Sequence, residues 1–234
     1  SAIVMEVKRN LEPKKNFLRN VRNLATKHNI VLIFDECTSG FRSCIGGLHL
    51  KYKIEPDICL FGKALGNGYP INAVIGKRDI MKEANKTFIS STFWSERLGP
   101  SAALKTIEIM KRDKTYNHIN SFTKKIKKLW SQTAKKNKVD INIEGMNGIP
   151  IFNFRHKNNF YFKTYLTQQM LKKKILATNA VYLSISHDEK LLKLYKEILD
   201  EVFFDIQNCI FGIKDINKIL EVPVSKIGMR VKND

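Results

Sequence analysis

Ile30-Val31-Leu32-Ile33-Phe34-Asp35 is a short apolar run that ends on a carboxylate. A run of that length, rich in branched side chains and followed by turn residues, reads as a strand buried on both faces. Upstream, Ala2 to Glu6 reads as a second short buried strand. Between them, Asn16 to His28 places Phe17, Leu18, Val21, Leu24 and Ala25 at helical spacing. Strand, helix and strand joined by short connections form a crossover unit, which makes the two strands parallel. Asp35 then leaves its strand at the carboxyl end, where open α/β sheets place their ligands. Ile58 to Phe61 and Ala73 to Ile75 are further strand candidates, and they bracket Lys63 and the turn Gly66-Asn67-Gly68-Tyr69-Pro70. Asp35 and Lys63 are therefore expected to converge on one cavity.

The character changes near residue 116. Ala102, Ala103, Ile107 and Met110 give an amphipathic helix from Pro100 to about Lys111 that leads out of the first domain. Beyond it come a helix over Tyr116 to Asn137, a strand over Asp140 to Glu144, the turn Gly145-Met146-Asn147-Gly148 and a strand over Pro150 to Arg155. A helix over Tyr161 to Lys174, a strand over Val181 to Ser184 and a last helix over Glu189 to Asn208 complete the pattern. The expectation is an α/β domain over residues 1–115 and a smaller α+β domain over 116–234.

With 43% hydrophobic residues the chain has the material for packed cores, and its apolar runs are far shorter than a membrane span needs. Cys37, Cys44, Cys59 and Cys209 show no paired C-x-x-C spacing, so neither a metal site nor a disulfide framework is expected. The formal charge of +19 would suit a polyanion. Its densest clusters, Lys124 to Lys128 and Lys172 to Lys174, fall in amphipathic helices, where a solvated face explains them, and no nucleic-acid motif accompanies them. Neither nucleic acid nor membrane is expected as a partner.

Four segments carry the chemistry: Phe34-Asp35-Glu36-Cys37-Thr38-Ser39-Gly40-Phe41-Arg42, Pro56-Asp57-Ile58, Gly62-Lys63-Ala64-Leu65-Gly66-Asn67-Gly68-Tyr69-Pro70 and Ser90-Ser91-Thr92-Phe93-Trp94-Ser95-Glu96. Asp35 and Lys63 have the polarity to hold pyridoxal phosphate, a carboxylate for the pyridine nitrogen and an amine for the aldehyde. In order and spacing the four segments resemble the class III aminotransferases, within them the branch that includes glutamate-1-semialdehyde aminomutase. Leu183 to His187 and Leu220 to Val224 resemble that family's closing segments more weakly.

The resemblance implies part of a fold-type I pyridoxal-phosphate transferase: a large domain with a mostly parallel sheet and helices on both faces, then a small C-terminal domain. It implies pyridoxal 5'-phosphate as cofactor, a small-molecule amino donor and carbonyl acceptor, a cytoplasmic homodimer with shared active sites, and a longer protein. The main phosphate loop and the aromatic cover of the ring would then lie before Ala2, making this chain the C-terminal portion.

By the same resemblance Lys63 is the Schiff-base lysine and proton carrier, a role that asks for an amine tuned by burial or nearby positive charge. Asp35 is the partner of the pyridine nitrogen, and Cys37 lies against the ring face as a packing group rather than a nucleophile. Ser91 and Thr92 reach the phosphate of the partner subunit's cofactor, or else serve only to cap the helix that follows. Glu36 points away from Asp35 and is read as a supporting hydrogen-bond partner. His187 carries no assigned role. An arginine that would grip a substrate carboxylate is not found, Arg155 lying too early and Arg230 too late. Two-substrate transamination is preferred to intramolecular aminomutase chemistry because Ser91 to Glu96 departs from the glycine-threonine segment of aminomutases. A non-catalytic fragment is the reading of a different class.

Overall fold

The computed structural model describes residues 1–90, 92–93 and 95–225, so Ser91, Trp94 and Arg230 lie outside the described residues. The chain divides into two compact units, Ser1–Asn120 and Ser121–Asp234.

In the first unit, strands β1 (Ala2–Met5), β2 (Val31–Asp35), β3 (Ile58–Phe61) and β4 (Ala73–Gly76) form one sheet in that order. β1 runs parallel to β2 and β2 to β3, and β4 returns antiparallel, with Asp35 in register with Leu60. Helix α1 (Phe17–Lys27) makes the crossover from β1 to β2 and buries Leu18 and Ala25. These pack with Leu32 and Phe34 of β2, Cys59 and Phe61 of β3, and Ala103 of helix α4 (Leu98–Asp113) in one apolar core. Short helices α2 (His49–Tyr52) and α3 (Arg78–Met81) punctuate the loops.

The two sides of β2 are buried unequally. Leu32, Phe34 and the following Glu36 are fully buried, whereas Val31, Ile33 and Asp35 on the other side are only half-buried. Within this chain β1 pairs on one side, with β2, and Val4 is 62% exposed.

Asp57 ties this sheet together just before β3. Its carboxylate accepts from the Leu32 N–H at 2.8 Å, Arg22 of α1 at 2.8 Å and Lys77 after β4 at 2.7 Å.

Helix α5 (Thr115–Lys136) contains the boundary between the units. In the second unit β5 (Ile141–Met146) and β6 (Ile149–Phe154) form an antiparallel hairpin. Gly145 and Met146 belong to β5, so the connection is the two residues Asn147-Gly148, tighter than the four-residue turn expected. Helices α6 (Asn159–Lys172) and α7 (Glu189–Ile210) supply Phe162, Leu166, Met170, Leu199, Val202 and Phe203 to a core around Trp130 and Phe152, whose rings meet edge-on at 4.8 Å. The Asp188 carboxylate caps α7 by accepting from the Leu191 N–H at 2.7 Å. Helix α8 (Ile216–Ile219) follows.

The strand expected over Val181 to Ser184 does not form. That segment runs beside β6, donating from Val181 and Leu183 to the carbonyls of Pro150 and Gly148, with a single bridge between Ile151 and Ala180. Pro150 has no N–H to return, so the ladder breaks there.

Candidate functional site

The end of β2 delivers Asp35 on the half-covered side of the sheet. Its carboxylate is oriented by the Cys37 N–H, which donates to Oδ1 at 2.9 Å, a local turn that fixes the side chain without neutralising it. The chain then bends through Thr38, whose carbonyl accepts from Arg42 Nε at 2.6 Å.

One strand over, β3 ends at Phe61 and hands the chain to Gly62 and a tight 3₁₀ turn over Lys63–Leu65. Lys63 opens that turn at φ +45°, in the left-handed region that costs a residue with a Cβ about 1–2 kcal/mol. The bend is held because the Lys63 carbonyl accepts from both Gly66 and Asn67 at 3.1 Å. Gly66 is required there: a Cβ would lie 2.2 Å from the Tyr69 carbonyl oxygen, and a backbone atom cannot step aside.

The two segments meet. Lys63 Nζ donates to the Thr38 hydroxyl at 2.7 Å, and a methyl placed on Gly62 would sit 3.6 Å from Cys37 Sγ. Asp35, Cys37, Thr38 and Lys63 thus surround the carboxyl ends of adjacent parallel strands. Burial pushes the Cys37 thiol up and Asp35 adds to the shift, with Lys63 pulling the other way. A thiol held protonated is a poor nucleophile, in keeping with a packing role.

Phe61 and Leu65 are buried, but Lys63 between them is exposed, because the left-handed bend turns it away from the core its neighbours enter. Among the described residues, the start of α4 is met by a carboxylate and not by Ser90 or Thr92. Glu96 accepts from the N–H groups of Leu98 and Gly99, filling the helix start with a carboxylate rather than leaving it for an anion.

Thr92 is exposed and takes no part in the hydrogen bonds linking Asp35, Thr38 and Lys63; Ser91 lies outside the described residues. In the second unit, His187 Nδ1 lies 3.2 Å from both the N–H and the hydroxyl of Ser184, a local turn contact. Thr38 is the participant that sequence reasoning missed. The available signal was a hydroxyl in the turn immediately after Asp35, but a turn hydroxyl has many uses until the lysine is seen to reach it.

The family model described as aminotransferase class-III matches residues 10–193. A 3-aminobutyryl-CoA aminotransferase from Cloacimonas acidaminovorans is 36% identical over 157 residues, covering 67% of this chain and 38% of that protein. A glutamate-1-semialdehyde 2,1-aminomutase from Saccharolobus islandicus is 40% identical over 115 residues, 48% of this chain and 27% of the relative. Among solved structures, the FumI protein of Sphingopyxis sp. MTA144 in its PLP internal aldimine form superposes with a TM-score of 0.83 at 18% identity, covering 94% of this chain and 55% of that one. An omega-transaminase from Sphaerobacter thermophilus gives 0.77 at 18% identity, over 87% and 52%. The fold is thus that of the fold-type I transaminases, and the chain spans about half the length of the solved structures and less of the curated relatives.

Proposed function

The chain belongs to the class III aminotransferases, and on that premise we propose that it serves pyridoxal-phosphate-dependent amino-group transfer through Lys63. The observation that carries this reading is the convergence of a turn-oriented carboxylate, a protonated thiol and a lysine amine on adjacent strand ends.

The residues fit the group. Asp35 would hold a proton on the pyridine nitrogen, since a carboxylate beside a ring N–H favours its charged form. Cys37 would offer polarizable apolar contact to the ring face. The Lys63 amine, which donates to the Thr38 hydroxyl, would hold the cofactor through its aldehyde and could take up and release a proton at Nζ. When bound, pyridoxal 5'-phosphate supplies the electron sink for this chemistry. The strained backbone at Lys63 keeps its side chain aimed out of the core toward that position.

In the whole protein the reading entails a small-molecule amino donor and carbonyl acceptor, and a cytoplasmic homodimer in which Ser91 and Thr92 serve the partner subunit's cofactor phosphate. No described helix is long and apolar enough to cross a membrane. Identity to an aminotransferase over two thirds of the chain favours two-substrate transfer. The 40% identity to an aminomutase supports intramolecular transfer as the second reading.

The test is spectroscopic. Full-length protein mixed with pyridoxal 5'-phosphate should develop a visible absorption band that Lys63→Ala abolishes. A band unaffected by that substitution rules the reading out. Consumption of an added 2-oxo acid separates transamination from intramolecular transfer.

A further inference from the structure

We propose that Glu36 is a positioning residue for this site, clamping the loop from which Asp35, Cys37 and Thr38 act; the inference rests on the reading of that site given above. Glu36 is 0% exposed, on the opposite side of the chain from Asp35. Taking a carboxylate out of water costs several kcal/mol unless its lone pairs are filled. Here they are. Oε1 accepts from the His49 N–H and lies against His49 Nδ1, both at 2.8 Å, while Oε2 accepts from the Leu48 N–H at 2.9 Å and from the Ser39 hydroxyl. An ionised carboxylate has no hydrogen to give, so His49 Nδ1 carries the proton and donates.

The placement of these donors argues for positioning rather than stability alone. Leu48 and His49 lie where the loop returns and enters α2; Ser39 lies in its first turn. The carboxylate therefore joins the loop's two ends. Glu36 and Ser39 also bracket Cys37 and Thr38, the residues whose N–H orients Asp35 and whose hydroxyl receives Lys63. The Glu36 backbone is fixed as well, its N–H donating to the Leu60 carbonyl at 2.9 Å and its carbonyl accepting from Gly40 at 2.8 Å. Burial alone would raise the Glu36 pKa, but the His49, Ser39 and Leu48 hydrogen bonds outweigh it and hold the group ionised. The effect of its charge is felt nearby: burial and then Glu36 push the Cys59 thiol, 3.6 Å from His49 Nδ1, up to about 12.

Glu36→Gln in the full-length protein is the test. Whichever way the amide turns, its NH₂ faces a backbone N–H that cannot rotate, that of Leu48 or of His49, and one buried donor is left unpaired. In cofactor-free protein, hydrogen exchange at the Cys37 amide should accelerate by about tenfold or more, with the Leu32 and Cys59 amides of the sheet unchanged. With pyridoxal 5'-phosphate, the affinity read from the visible band should fall by about the same factor. His49→Asn, whose side-chain N–H matches the position of Nδ1, should stay within about threefold of wild type, and His49→Leu should behave as Glu36→Gln. Should Glu36→Gln fail to fold, Ser39→Ala removes one donor of the four and should show the same effect at Cys37 in smaller measure.

Unchanged exchange at Cys37, or equal acceleration at Leu32 and Cys59, overturns the proposal. Wild-type protein that forms no band overturns the cofactor reading instead, and the exchange measurement, which needs no cofactor, then still decides whether Glu36 sets the loop.

Discussion

The Lys63 amine lies 2.7 Å from the Thr38 hydroxyl, so the residue three places beyond Asp35 touches the amine in the turn that follows the next strand. Thr38→Val keeps the shape and removes the acceptor. Because Lys63 is exposed and Thr38 only half-buried, the loss should fall on chemistry rather than folding. Turnover by the full-length protein should drop by about three- to tenfold, with the melting temperature moving by less than about 2 °C. Steady-state kinetics and a thermal melt check both halves of that statement.

Gly66→Ala should be far more disruptive than its size suggests. The added methyl meets the Tyr69 carbonyl, and relieving the clash opens the turn that bends the chain at Lys63. The expected outcome is a folded protein whose affinity for pyridoxal 5'-phosphate is lower by about tenfold or more, measured by titrating the visible band.

The fold side of this unit has a pH signature at Asp57. Burial alone would raise its pKa, but the Leu32 N–H, Lys77 and Arg22 outweigh that and hold it at about 2. A folded pKa below the unfolded value of about 3.9 means that the stabilisation is fully present above about pH 4 and is lost as pH falls through about 2. The size is about 2 kcal/mol. Urea midpoints compared at pH 7 and pH 2 should fall more for wild type than for Asp57→Asn, which lacks the titrating group.

In the second unit, Trp130 Nε1 donates to the Tyr195 hydroxyl at 2.9 Å within the apolar core. Tyr195→Phe leaves the indole N–H unpaired and should cost about 1–3 kcal/mol, and Trp130→Ala about 3–5 kcal/mol. If the pair acts as one unit, the double variant should cost less than the sum of the single ones, as urea unfolding would show.

How much of this was legible in the sequence depends on how local the cause is. β2 and the emergence of Asp35 follow from a run of apolar residues and a period of two, and the same period puts Glu36 on the other side. The partners of Glu36 do not follow, because Leu48 and His49 return to it only after a loop whose path depends on tertiary packing. The exposure of Lys63 is not legible for a related reason: its neighbours Phe61 and Leu65 are buried, and it is the positive φ between them that turns the lysine outward. At Val181 to Ser184 the β-rich composition suggests a strand that does not form, because the neighbouring strand carries Pro150, and the missing donor shows only once the two are seen side by side.

The most direct measurement is chemical. Full-length protein incubated with pyridoxal 5'-phosphate, reduced with borohydride and digested should carry the cofactor on the peptide containing Lys63. A label on any other lysine, with Lys63 unmodified, would contradict the account.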